Sequence, residues 1–410
     1  MAMNIAGPKS IPTKAQVMAA MESLEVEGSG SVIGKRMTNK IEIVDGAMPI
    51  RERGILLWRF GRESVAFQAM KGLLNLVAML ILWSAAGQPC GAEPGEEHLL
   101  LLRNGGRVVG IMPLVGGRIV EFRLEAGKNV LDGRPERWDG EPWKVPFGEG
   151  WKQCFGESVW PGPQVDWWTS REPYPIPAEM KNVSPGNWPP DPAWDTDPFE
   201  VREQSATRVV MKGPVSKLTG LELTKTVELL ADGKLKFEVT ATNRGDREVS
   251  RDLWLLRRVP LDANRFLPLK VEFANWRFSR MVTVEKIEGL TVLEPAPGAM
   301  NEQDVSGKMH GLPAEGWMAA ATAEAFLIIE FPMVSEAHMA PEHSPVEVYC
   351  ATPPVPLCEM EHHGELRTLK PGETMRCEET WRIIPNTKYP DAVSQAHFLR
   401  TEIFPVAAGK

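Results

Sequence analysis

Tyrosine is scarce in this 410-residue chain, with 3 against 14 tryptophans, and cysteine is limited to 5. Basic residues do not outnumber acidic ones: Lys plus Arg total 46 against 54 Asp plus Glu, a formal charge of −8. A protein that binds nucleic acid by neutralising phosphates carries a basic excess, so nucleic acid is excluded as a partner. No two cysteines are spaced Cys-x-x-Cys, which argues against a zinc ribbon. The chain also lacks a phosphate-cradling glycine loop, a dinucleotide fingerprint and a nucleophile elbow, and no cofactor is expected. What remains, 43% hydrophobic and 24% charged residues, is the composition of an ordinary globular protein.

The longest apolar run falls short of the roughly 20 residues a membrane-spanning helix needs. It begins Met70-Lys71-Gly72 and ends in the small residues Ser84-Ala85-Ala86, which is the order of a secretory signal peptide. Cleavage is expected after Ala86 or Ala92. Residues 1–69 hold no core-sized apolar pattern and are read as a largely unstructured extension ahead of the true start at Met70. If they are made, 70–92 becomes an uncleaved signal anchor that tethers the protein to the membrane. A periplasmic or extracellular domain follows over 93–390, then a tail over 391–410, and the protein is expected to be a monomer. In an exported protein Cys350 or Cys358 can pair with Cys377, while buried free thiols are the alternative.

From 98 onward the pattern is strand after strand, punctuated by turns such as Asn104-Gly105-Gly106. Leu235, Phe237, Val239 and Ala241 alternate cleanly on one face, and Leu221 to Leu229 alternates with Lys225 as its one defect. Further strands are expected at 248–257, 267–273, 281–287, 325–331, 345–351 and 374–384. Residues 133–199 break the rhythm with eight tryptophans among many prolines, and can supply neither a long helix nor an inner strand. The expectation is an all-β sandwich of antiparallel strands with a long Trp/Pro-rich loop excursion, and long irregular loops are commonly functional.

Taken in order, these segments resemble the galactose-mutarotase-like (aldose 1-epimerase-like) superfamily. The resemblance rests on Gly116-Gly117-Arg118-Ile119 followed by Asn129-Val130-Leu131, on Phe155 to Gln164, on Thr219 to Lys225 and Thr242 to Asp246, and on Leu369 to Thr374 with Glu379-Thr380-Trp381. It is closest to a bacterial branch carrying Trp-Pro-x-Pro-Gln, here Trp160 to Gln164, and Pro-Pro-Asp-Pro-x-Trp, here Pro189 to Trp194. It implies a β-supersandwich and a saccharide bound in a concave face, with Arg118 among the binding residues. Mutarotases of this superfamily use a Glu base and His acids. Phe155 stands where the first His is expected, and the second falls near Leu256, beside Arg257 and Arg258. Arginine does not cycle protons, but it can hold a carboxylate or sulfate in bidentate fashion. The base maps onto Glu347 or Tyr349, which strand alternation places on one face.

Indole rings stack on sugar faces, so Trp160, Gln164, Trp167 and Trp168 are the first candidates, with Trp188 and Trp194 behind them. Most of the eight excursion tryptophans are expected to be structural. His338, His343 and the run Glu361-His362-His363 match no helical metal motif and are read as surface loop residues, so no metal site is expected. Three functions follow. The first is a non-catalytic or divergent carbohydrate-binding protein, the second an epimerase using Glu347, and the third an envelope protein-interaction module.

Overall fold

The structure is a computed structural model that describes residues 96–143, 155–275 and 277–405, all within the unit Trp83–Lys410. The extension 1–69, the signal segment 70–92, Trp151 and Cys154 lie outside the described residues. Among the described residues no helix is long and apolar enough to cross a membrane.

Antiparallel strands dominate, as the alternating pattern predicts. A three-stranded sheet joins β1 (Leu100–Asn104), β2 (Arg107–Met112) and β3 (Arg118–Leu124). A ten-stranded sheet contains, as neighbours, β20 (Thr374–Pro385), β8 (Leu235–Asn243) and β7 (Leu221–Leu229). A seven-stranded sheet runs β11 (Leu269–Ala274), β14 (Ser306–Pro313), β17 (Val346–Ala351), β18 (Leu357–His363) and β9 (Val249–Arg258), with β19 (Arg367–Leu369) and β4 (Glu157–Gly162) both pairing β9. Leu235, Phe237, Val239 and Ala241 are buried in one large core with Leu253 and Leu255 of β9 and Val346, Val348 and Met360 of β17 and β18. Each fully buried aliphatic side chain there contributes about 1.5–3 kcal/mol.

The defect at Lys225 has a partner. Its ammonium is buried and lies 3.1 Å from Glu157 Oε1, so an ion pair links β7 to β4 of the other sheet. The excursion 133–199 contains β4, an edge strand that tolerates Pro161 because its far side needs no ladder, and the single-turn helix α1 (Pro192–Asp195).

One expectation is corrected. The strand expected over 267–273 is two: Pro268 has no N–H to give a ladder, and the chain changes sheet there, from β10 (Asn264–Leu267) in the ten-stranded sheet to β11 in the seven-stranded one. The tail is partly helical. Asp391 and Ser394 form a capping box for α2 (Ala392–Phe398), whose Ala396 packs with Leu399, Phe266, Trp317 and Phe326. Of the two cysteine readings, the structure shows the buried free thiols. Cys350 and Cys358 stand directly opposite across β17–β18 with sulfurs 2.8 Å apart, whereas Cys377 lies beside His362, 4.0 Å from its Nδ1, and all three are free thiols.

Candidate functional site

The period of two along β9, β17 and β18 sorts their side chains onto opposite faces. Leu253, Leu255, Val346, Val348, Cys358 and Met360 enter the core, while Trp254 and Leu256 join a separate cluster with Trp160, Trp167 and Trp168. On this second face the register sets charged residues side by side. Lys308 of β14 is opposite Tyr349, Tyr349 opposite Glu359, and Glu359 opposite Arg258; one row along, His310 meets Glu347 and Glu347 meets Glu361. A cavity of about 470 Å³ opens over these rows, within the range of small-molecule sites. Its walls include Trp160, Trp188, Trp254, Gln164, Arg258, Ser306, Lys308, Tyr349, Glu359 and Glu361.

The polar groups are interlocked. Arg258 pairs with Glu359 at 2.7 Å, and Lys308 bridges Glu361 (2.8 Å) and Glu347. Trp254 donates its indole N–H to Glu361 Oε2 at 2.9 Å, leaving Oε1 of that buried carboxylate without a hydrogen-bond partner. Burial raises Glu359, with Arg258 working against the shift and neighbouring Glu361 adding to it. Burial would lower Lys308, but Glu361 and Glu347 push its ammonium above the ordinary lysine value.

Glu347 lies just outside the cavity lining, fully buried. Its Oε1 accepts from Ser344 N–H at 2.8 Å and meets His310 Nδ1 at 3.1 Å, while Oε2 faces Lys308. Burial alone would raise its carboxyl, yet Lys308, His363, His310 and His343 together hold it well below the usual carboxylate range. His363 is likewise buried; Glu347 and Asp252 outweigh its desolvation and carry its imidazole to about 9.

The sequence candidates separate into three groups. Trp160, Gln164, Arg258 and Tyr349 line the cavity. Glu347 sits immediately behind it. Arg118, Trp167, Trp168 and Arg257 do not line it: Arg118 pairs with Asp195 at 2.9 Å, Trp167 donates to Pro161 O, Trp168 to Pro189 O, and Arg257 crosses the core to Glu379. The indoles of Trp167 and Trp168 face inward because the excursion folds them into one cluster with Trp160 and Trp254. Of the second-rank pair, Trp188 lines the cavity and Trp194 is core. Carboxylates answer both guanidiniums, Glu379 that of Arg257 and Glu359 that of Arg258.

The reading of the histidines is overturned for three of four. His362 and His363 end β18 and are buried, and His343 stands against Trp254 with ring centroids 4.9 Å apart; only His338 is largely exposed, with 61% of its side chain accessible. Lys308, His310, Trp254 and Glu359 were not singled out from the sequence. The legible signal was the polar-apolar alternation of Ser306-Gly307-Lys308-Met309-His310-Gly311, muted by glycines on the inner face.

Fold and site together define an all-β protein of stacked antiparallel sheets with a tryptophan-walled, charge-lined cavity on the outer face of one of them. The chain belongs to the family described as domain of unknown function DUF4380, which matches residues 98–384. Among curated proteins none matches the chain. Solved structures similar to it include a galactose mutarotase-like protein from Lactobacillus casei ATCC 334, 15% identical over 70% of this chain and 100% of that one, with a TM-score of 0.40. A galactose mutarotase-like protein from Clostridium acetobutylicum is 12% identical over 70% and 94%, with a TM-score of 0.43. Galactose 1-epimerase from Lactobacillus acidophilus NCFM is 13% identical over 70% and 93%, with a TM-score of 0.40.

Proposed function

We propose that this protein binds a neutral saccharide in the cavity and does not open the sugar ring. The observation that carries the reading is the meeting, in one cavity, of indole surface from Trp160 and Trp188 with Glu361, whose Oε1 has no hydrogen-bond partner. Aromatic planes suit the apolar face of a pyranose, and a buried acceptor without a donor suits a hydroxyl. The two cations of the wall, Lys308 and Arg258, are matched by Glu347, Glu359 and Glu361, so an anionic sugar would meet no spare positive charge. A non-catalytic role follows from Glu347: a carboxylate stabilised by Lys308, three histidines and a backbone N–H is a weak proton acceptor.

Export is part of the proposal and rests on the order of Lys71, the apolar run and Ser84-Ala85-Ala86 in the sequence. N-terminal sequencing of the protein from its native host supports cleaved export if the chain begins after Ala86 or Ala92; Met1 retained in the membrane fraction replaces it with the tethered form, and Met1 retained in the soluble fraction removes export altogether.

Calorimetric titration with neutral, amino and uronic sugars tests the binding. The expected result is a neutral saccharide that binds, several-fold more weakly in Trp188→Ala, with uronates silent. Absence of binding by every neutral sugar overturns the reading. Polarimetry tests the rest: acceleration of aldose mutarotation, lost in Glu347→Gln, would replace binding with epimerase activity.

A further inference from the structure

Beside the Trp254 ring, His343 and His363, which the sugar-binding reading does not use, converge with Glu347. His343 Nδ1 lies 3.2 Å from His363 Nε2 and 3.4 Å from Glu347 Oε1, and His363 Nε2 lies 3.7 Å from Glu347 Oε2. All the ligand atoms fall within 4.8 Å of one another, on residues that are buried or nearly so. We propose that His343, Glu347 and His363 form a binding site for a zinc-class divalent metal ion.

Three features support it. A tetrahedral ion with bonds of about 2.0–2.1 Å holds its ligands roughly 3.3–3.4 Å apart; His343 Nδ1 stands close to that distance from both His363 Nε2 and Glu347 Oε1, while His363 faces the other carboxylate oxygen at 3.7 Å. Two imidazoles and one carboxylate are the ligand set of zinc sites that keep a fourth position for water or substrate. The outer partners are also in place. His363 Nδ1 meets Asp252 Oδ2 at 2.8 Å, the carboxylate–histidine arrangement that turns Nε2 toward a metal, and Glu347 Oε1 is held by Ser344 N–H and His310.

Loading would change two contacts. Gln164 N–H lies 3.3 Å from His343 Nε2. Ligation through Nδ1 requires that nitrogen to carry the proton, so the contact would be given up and the cavity wall at Gln164 freed. Lys308 would yield Glu347 to the metal and keep Glu361. Metal occupancy and cavity shape are therefore coupled through Gln164 and Lys308.

The test uses the whole purified chain, stripped with a chelator and titrated calorimetrically with zinc, and separately with cobalt for its visible absorption. One zinc per chain and the intense cobalt bands of a four-coordinate site are expected. His343→Ala and His363→Ala should each lose at least about 100-fold in affinity, Asp252→Asn about 10–100-fold, and His338→Ala nothing. His343 stands in the loop before β17, so its variant tests the site even if His363→Ala fails to fold, which circular dichroism would reveal. Weak or multiple zinc binding by the wild type, or unchanged affinity in His343→Ala, overturns the proposal. Sugar titrations of the stripped chain separate its failure from that of the saccharide reading.

Discussion

Arg257 and Arg258 are adjacent and chemically identical, yet they belong to two regions built on different terms. Arg257 points between the sheets, where it reaches Glu379 of β20; both partners are inaccessible, and Glu379 also meets His362 Nδ1 at 3.2 Å and the Trp381 N–H at 2.8 Å. Arg258 points the other way and pairs with Glu359 on the cavity wall. Between the sheets the ion pair and its hydrogen-bond partners are closed off from solvent, and together they tie two layers to each other. Over the cavity the same chemistry stays open to whatever enters. The comparison teaches that in this fold burial alone does not mark function; burial beside open volume does.

The sharpest way to break the comparison is to remove each arginine in turn. Arg257→Ala leaves Glu379 buried without its charge partner, which costs about 3–5 kcal/mol, whereas replacing a buried pair by apolar residues of similar size is often close to neutral. Urea unfolding should therefore show a large loss in Arg257→Ala and much of it recovered in the double variant Arg257→Leu, Glu379→Leu. Arg258→Ala should cost less, about 1–3 kcal/mol, because water in the cavity can solvate Glu359. Its larger effect should fall on saccharide affinity. Equal stability losses for the two variants would erase the distinction.

A smaller effect sharpens the role of the excursion. Glu172 is buried against Arg251 of β9, and burial, opposed by Arg251, raises its carboxyl from 4.5 to about 7. The folded chain thus holds a proton that the unfolded chain releases across this window, so stability should fall as pH rises from about 4.5 to about 7. Asp191, raised from 3.8 to about 6 mainly by burial, adds to the slope at its lower end. In Glu172→Gln, thermal unfolding across the same pH range should show a flatter slope. A wild type whose stability rises with pH through this window would contradict the assignment.

The two regions were not equally legible in the sequence. Leu235 to Ala241 gave away the core by simple alternation, and the tryptophan-rich excursion announced a cavity wall through Trp160 and Gln164. The site floor did not announce itself, because its strands bury charge. Leu357-Cys358-Glu359-Met360-Glu361-His362-His363 is buried at every position, so hydropathy reads it as a loop. In β14 glycine fills inner positions that an alternating pattern expects to be apolar. Arg257 against Arg258, likewise, is a question of register by one residue, which flips every side chain to the other face. Sequence pattern names the two arginines; only the pairing of β9 with β4 and β18 says which faces which way.

Trp188 offers the finest test, since it lines the cavity and is only partly buried where it packs on the tryptophan cluster. Its ring meets Trp160 edge-on at 4.8 Å, and it is half-buried, unlike Trp160, which is 4% exposed and also packs on Trp167 and Trp254. Truncation of Trp160 would empty a crowded cluster and cost about 3–5 kcal/mol of stability, confusing loss of fold with loss of site. Trp188→Ala removes the edge contact with Trp160 and the Trp188 share of the cavity wall. An aromatic contact of this kind is worth about 0.5–1.5 kcal/mol, so saccharide affinity should fall by roughly two- to tenfold while the unfolding midpoint stays close to wild type. If Trp188→Ala lowers the midpoint as far as Trp160→Ala does, the ring is a core element and the indole wall of the cavity is Trp160 alone.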